Sequence, residues 1–378
     1  MRKLGVVFFG VLLFAVLFHA CSTEVELNAP YKSTTVVFGL LDPKLDTQYI
    51  KINKTFLGDG NNYDFALIRD SSEYKSDEFK RLVIEEYINN TKVYEWNLQA
   101  VEVSKDPYGL FYAPLQTVYM FPTATRKLNP EATYKLVIDF HNRPDVNATT
   151  DLVKTNEVTI QNPLPNVAMI LAQFNAATQD INYKDDVTIK WTPAPNVSSY
   201  DITLHFNYLE QTYADNAHTQ LIKTDTLRLD YYIGNFDSDN LETNGGAVSA
   251  SFAGEGFFSY LQSKLTVNPK VRRIPGHEFP AATAKCFELT IGMANEELGT
   301  YLSVNAPVTG VIQERPSYSN VSNGLGLFAS RSAIMQKDIR LVGQNGLTGN
   351  LYALVQGSYC AALNFCDPDP TSDFPCSN

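Results

Sequence analysis

KLNPEATYKLVIDF, residues 127–140, is the stretch on which the fold class turns. Tyr134, Leu136 and Ile138 fall at period two, which predicts a strand with one buried face rather than a helix. Leu128 and Pro130 precede them, and a proline there sets a turn directly before the strand. Whether the Tyr134 hydroxyl is bonded, the period itself does not say. The plainer reading is any strand after a proline turn, with Tyr134 as apolar filler.

Outward from this stretch the same period recurs. TTVVFGLLDP (34–43) and TQYIKINKTF (47–56) read as strands. RLVIEEYI (81–88), Asn89-Asn90 and VYEWNL (93–98) read as a hairpin with Tyr94, Trp96 and Leu98 on one face. QNPLPN (161–166), with two prolines, is the linker candidate. In VTIKWTPAPNVSSYDITLHF (187–206), Val187, Ile189 and Trp191 alternate, as do Tyr200, Ile202, Leu204 and Phe206, which predicts a second hairpin with Trp191 as a structural core residue. GEGFFSYLQSKL and ANEELGTYLSV carry helical spacing. Gly324 and Gly326 are expected in a turn, because a GxG without a third glycine and a helix start is a weak nucleotide signal.

Residues 127–140 resemble the E to F corner of immunoglobulin-like and fibronectin type III sandwiches, and residues 187–206 resemble the B and C strands of a fibronectin type III module. The resemblance implies a mainly β chain of two such sandwiches in tandem, 34–160 and 167–378, the second with short helical insertions and a cysteine-containing tail.

At the N-terminus, Arg2 and Lys3 precede 15 uncharged, mostly apolar residues, Leu4 to Phe18, too short for a membrane span but right for a signal-peptide core. Ala20 before Cys21 resembles a bacterial lipobox, although Phe18 stands where leucine is usual. That resemblance implies cleavage after residue 20, diacylation of Cys21 and a lipidated tether over 21–33, so the chain meets the membrane through its anchor. An ordinary cleaved signal with a free thiol is the alternative. Loss of Arg2 and Lys3 moves the formal charge from −11 to −13, which repels nucleic acid.

Cys286, Cys360, Cys366 and Cys376 remain, an even number in an exported chain, and are expected to form disulfides in one of three pairings; Cys366 to Cys376 could close a small loop. No CxxC spacing or nearby histidine supports zinc. His141, His205, His218 and His277 show no metal-ligand spacing, and His205 is expected to face solvent opposite Leu204 and Phe206. Glu85-Glu86 and Glu296-Glu297 read as solvated surface. DGNNYD (59–64), DSDNLE (237–242) and DPDPTSD (367–373) offer oxygen ligands for calcium but read as polar turns. No cofactor and no catalytic residue is expected.

The Cys21 box, the ELNAP leader, the FFSYLQSK helix and the late NVSNGLGLFASRS strand pair together resemble a group of uncharacterised outer-membrane lipoproteins of the Bacteroidota. The resemblance implies lipid anchoring in the outer membrane and a gene often encoded near those of outer-membrane transport components. Glu24 and Glu26 after Cys21 give part of the acidic signal for export to the cell surface. The expected function is a non-enzymatic binding or scaffolding subunit for an outer-membrane protein or transporter. The alternative is a glycan- or nutrient-binding accessory of a TonB-dependent uptake system, for which 21 tyrosines and 22 phenylalanines supply stacking material. A hydrolase ranks third, lacking a recognisable nucleophile.

Overall fold

The computed structural model describes residues 33–57, 61–244, 246–276, 285–306, 317–342 and 349–376. Over the described residues the chain is mainly β, with several sheets and no barrel. Its first part alternates as the sequence predicts. β1 (Thr35–Leu41) and β2 (Thr47–Lys54) form a hairpin that turns Val37, Leu41, Ile50 and Ile52 inward and Phe38, Lys51 and Asn53 outward. Two short helices, α1 (Asn62–Ala66) and α2 (Arg69–Ser72), lead to β3 (Phe79–Ile88) and β4 (Thr91–Asn97). The turn between these strands places Asn89 and Asn90 at φ 49° and 61°, the left-handed pair that a two-residue hairpin needs and asparagine tolerates. β5 (Gln99–Ser104) and β6 (Leu115–Pro122) extend the β1–β2 sheet, while β7 (Thr133–Phe140) and β8 (Val146–Asp151) extend the β3–β4 sheet. The two sheets share a core that includes Phe121, Trp96, Tyr134 and Leu136.

Tyr134 has the bonded hydroxyl. Its ring is fully buried, the Asn129 N–H donates to its oxygen at 2.6 Å, and the hydroxyl can donate to Glu86 Oε1 or the Asn129 carbonyl, both at 3.2 Å. Burial, then the nearby Glu86 charge, raises its pKa. Tyr134→Phe strands a buried N–H and is expected to cost ~1–3 kcal/mol. Tyr94, exposed and packed edge-on to Trp96, should cost less than about 1 kcal/mol as phenylalanine. Urea unfolding of the whole chain measures both; equal costs would remove the hydroxyl from the argument.

The second part begins with β9 (Ile160–Asn162), so the first two residues of the expected linker are strand, paired with β12 (Val187–Trp191). β10 (Ala172–Asn175) and β11 (Asp180–Tyr183) form a separate hairpin. β12 and the long β13 (Val197–Tyr213) are not a hairpin, contrary to the pattern reading. β12 pairs with β16 (Ala247–Phe252) and β9, whereas β13 pairs with β14 (Leu221–Asp237), β17 (Val271–Pro275) and β18 (Phe287–Asn295). The proline turn TPAP therefore carries the chain from one sheet to the other, which period-two alternation cannot distinguish from a hairpin. β15 (Glu242–Asn244) completes the smaller sheet. Helix α3 (Gly254–Lys264) buries Phe257, Phe258 and Leu261 in this core, and Trp191, fully buried 5.1 Å from the Tyr200 ring, lies within it. Helix α4 (Glu296–Asn305) follows β18 directly.

The end of the chain joins both parts. β19 (Val321–Ser322) pairs with β8, and β20 (Gly324–Ile339) is shared. Gly324–Ser330 pair in parallel with β1, and Arg331–Ile339 pair antiparallel with β18. One nine-stranded sheet results, in the order β14-β13-β18-β20-β1-β2-β6-β5 with β17 beside β13. Val321 and Phe328 belong to the first core, so that core does not end at residue 160. Gly324 and Gly326 are strand residues and not a turn. A Cβ on Gly326 would lie 1.9 Å from the Val37 carbonyl oxygen, and its φ is 109°.

Asn350, in α5 (Gly349–Val355), closes the second part. Its Oδ1 accepts from the Leu171 and Ala172 N–H groups at 2.8 and 2.9 Å, and its Nδ2 donates to the Met169 and Leu341 carbonyls at 2.7 and 2.8 Å.

Candidate functional site

Inward alternation of Val37, Phe328, Ile291 and Ile202 leaves the opposite face of the nine-stranded sheet outward. Helix α4 lies on that face. Leu298 packs on Ala294, Leu327 and Ala329, and Tyr301 meets Phe38 at 6.3 Å. Asn295 caps the helix, accepting from Leu298 N at 3.3 Å while its amide donates to Thr150 Oγ1 and the Asp151 carbonyl at 2.8 and 2.9 Å. Gly299 lets the helix approach β13, since a Cβ there would fall 1.9 Å from Ser198 Oγ.

A recess of about 810 Å³ opens between α4 and the β13–β14 pair, lined by Asp201, Tyr232, Asn235, Asp237, Glu296 and Leu302 among others. A β-bulge builds it. Ile202 pairs with Gly234 but Thr203 pairs with Tyr232, so Ile233 is the extra residue. Without the bulge, Tyr232 and Asn235 would fall on opposite faces; with it both reach Asp201. The Tyr232 hydroxyl and Asn235 Nδ2 both donate to Asp201 Oδ1, at 3.1 and 2.8 Å. Burial and then Asp201 push the Tyr232 hydroxyl up to about 12, so it stays a donor at neutral pH. An oriented carboxylate beside an exposed aromatic ring suits a donor-rich ligand.

Beyond Phe38 lies a second recess, about 470 Å³, with walls from Phe38, Phe56, Phe111 and Tyr112 and a floor of Lys51 and Asn53. Glu73 fixes that floor. It takes Lys51 Nζ at 3.3 Å, Arg69 Nε at 2.8 Å and Thr117 Oγ1 at 2.6 Å. Burial lowers the Lys51 pKa. Lys105 Nζ sits 5.2 Å over the Phe111 ring, and the buried Asn53 Oδ1 has no hydrogen-bond partner among the described residues.

The expected site residues are distributed as follows. Cys21 and His277 lie outside the described residues. Cys366 and Cys376 are joined, with Cα atoms 5.0 Å apart. Cys286 and Cys360 are not joined. Both are buried thiols in the second core, and burial pushes Cys360 up to about 12. Tyr134 and Trp191 serve packing and not the recesses. Glu85 and Glu86 are buried rather than solvated. Glu85 bonds Arg81, Lys92 and Tyr87, which outweigh burial and hold it down to about 2, and Glu86 pairs with Arg126 at 2.6 Å. Glu296 is exposed, but Glu297 is half-buried beside Asn295. His205 is buried on the outer face, its nitrogens 2.7 Å from Asp230 and Thr290, because neighbouring strands flank β13 on both sides. Asp237 and Asp369 accept from nearby backbone N–H groups within their turns, and no group of three or more potential metal ligands occurs among the described residues.

Asp201, Tyr232 and Asn235 were not singled out by sequence reasoning. Their signal is the pair of outward positions in YDITL and YYIGNF, legible only once the strand register and its bulge are known. No protein-family model matches the chain, and no curated protein is significantly similar to it.

Proposed function

We propose that the chain is a membrane-tethered, non-enzymatic binding or scaffolding subunit of an outer-membrane protein complex, anchored through Cys21 at the cell surface. The observation that carries the reading is the recess beside α4, where a bulge turns Tyr232 and Asn235 onto Asp201. That carboxylate already accepts two hydrogen bonds, an arrangement for recognition more than for proton transfer. Exposed Tyr232 and Leu302 supply apolar anchors of the kind that dominate protein interfaces. The bonded Tyr134 corner supports the finer reading of immunoglobulin- and fibronectin type III-like units.

Affinity purification from outer membranes tests this. The wild type is expected to retain a membrane protein that Asp201→Ala/Tyr232→Ala loses at least about tenfold, while Cys21→Ser moves the protein to the soluble fraction. Equal recovery by wild type and double variant would remove the recess from the proposal. A second reading, glycan or nutrient binding for TonB-dependent uptake, draws on the same aromatic ring and oriented carboxylate. Saturable oligosaccharide binding lost in the double variant, with no retained protein, would favour it.

A further inference from the structure

We propose that the α1 segment, residues 61–68, and the tip of the 106–112 loop form a second membrane contact, resting in the lipid interface beside the anchor; this builds on the reading of Cys21 as lipidated. The tips are uncovered: Tyr63 is 65%, Leu67 60%, Tyr108 94% and Leu110 67% exposed. They are also held together. Tyr112 N donates to the Ala66 carbonyl at 2.9 Å, Arg69 lies 5.9 Å over the Tyr112 ring, and Phe56 meets Phe111 edge-on at 6.5 Å.

The start of the described chain lies beside this rim. Thr34 N donates to Thr55 Oγ1 and Thr55 N to the Thr34 carbonyl, both at 2.9 Å, and Thr55 adjoins Phe56. The residues that lead back to Cys21 therefore join the fold next to the rim. A 13-residue tether reaches about 45 Å when extended, so by itself it fixes no orientation. Tyrosine, leucine and phenylalanine side chains at such tips are suited to the lipid–water interface, and Lys105, over the Phe111 ring on the recess beside them, can meet headgroup phosphates. The rim would hold the 470 Å³ recess close to the headgroups.

Sedimentation of the unlipidated mature chain with phosphatidylcholine vesicles, with and without phosphatidylglycerol, tests the contact. The wild type is expected to bind both, and Leu67→Ser/Tyr108→Ser/Leu110→Ser to bind at least about tenfold more weakly. Leu221→Ser/Ile222→Ser, exposed apolar residues of β14, should leave binding unchanged. All three substitutions are at exposed positions, and an unchanged circular dichroism spectrum confirms folding. A wild type that stays in solution with both vesicles, or a triple variant that binds equally, overturns the proposal. So does a triple variant that loses capture of a membrane protein but not of vesicles, which assigns the rim to a protein partner. The mass of the native N-terminus tests lipidation independently, so failure of the anchor and failure of the rim are distinguishable.

Discussion

A fragment of residues 34–162, cut at the boundary that QNPLPN marks, should not fold alone, and should fold when residues 317–331 are joined to it through a flexible linker. The fragment lacks Val321 and Phe328, both in its core, and leaves the backbone of β1 unpaired along the side that Gly324–Ser330 occupy. Exposing that edge and that core together removes more than a single large-to-small change. Phe328→Ala alone, at a fully buried site, should cost ~3–5 kcal/mol. Gly326→Val should be as damaging, because its Cβ would collide with the Val37 carbonyl oxygen and the residue would be held at φ 109°. Circular dichroism with urea titration reads all three. A cooperative transition for 34–162 at the midpoint of the full chain would overturn the claim that the first core needs β20.

Asn350→Ala should be the most damaging polar substitution in the second part. It leaves two N–H groups and two carbonyls of Met169, Leu171, Ala172 and Leu341 without partners around a side chain that is 1% exposed. At ~1–3 kcal/mol for each buried group left unpaired, and with water able to reach some of them, the expected loss is at least about 3 kcal/mol. Asn350→Asp should be nearly as costly. It keeps the acceptor for Leu171 and Ala172 but turns a carboxylate oxygen on the Met169 and Leu341 carbonyls. A loss below about 1 kcal/mol for both, by urea unfolding, would show that these groups are satisfied by other means.

How much of this was legible depended on the range of the interaction. The Tyr134 corner, the Asn89-Asn90 turn, both longer helices and the Cys366–Cys376 loop are set by residues within about ten positions of one another, and their patterns named them. Features that depend on distant partners were misread or missed. Glu85 and Glu86 look like surface until Arg81, Lys92 and Arg126 are placed around them. His205 alternates outward correctly, but its neighbours across two strands cover it. Gly324 and Gly326 suggested a turn because nothing nearby in sequence indicates that β1 presses against them. The recess at Asp201 needed a bulge whose partner strand is joined through the β13–β14 connection. The 161–166 segment has the composition of a linker, yet its first residues form a strand because β12 offers them an edge.

The shared β20 also dictates the order in which the molecule can be assembled. One of the two neighbours of β1 is made long after it, Gly324 being 289 residues beyond its partner Thr35, so β1 has only β2 beside it for tens of seconds at roughly 5–20 residues per second. Over that interval the N-terminal region can form hairpins, but its core still lacks Val321 and Phe328. If the chain is exported as proposed, that delay would keep its leading strands unlocked while the rest of it crosses the membrane.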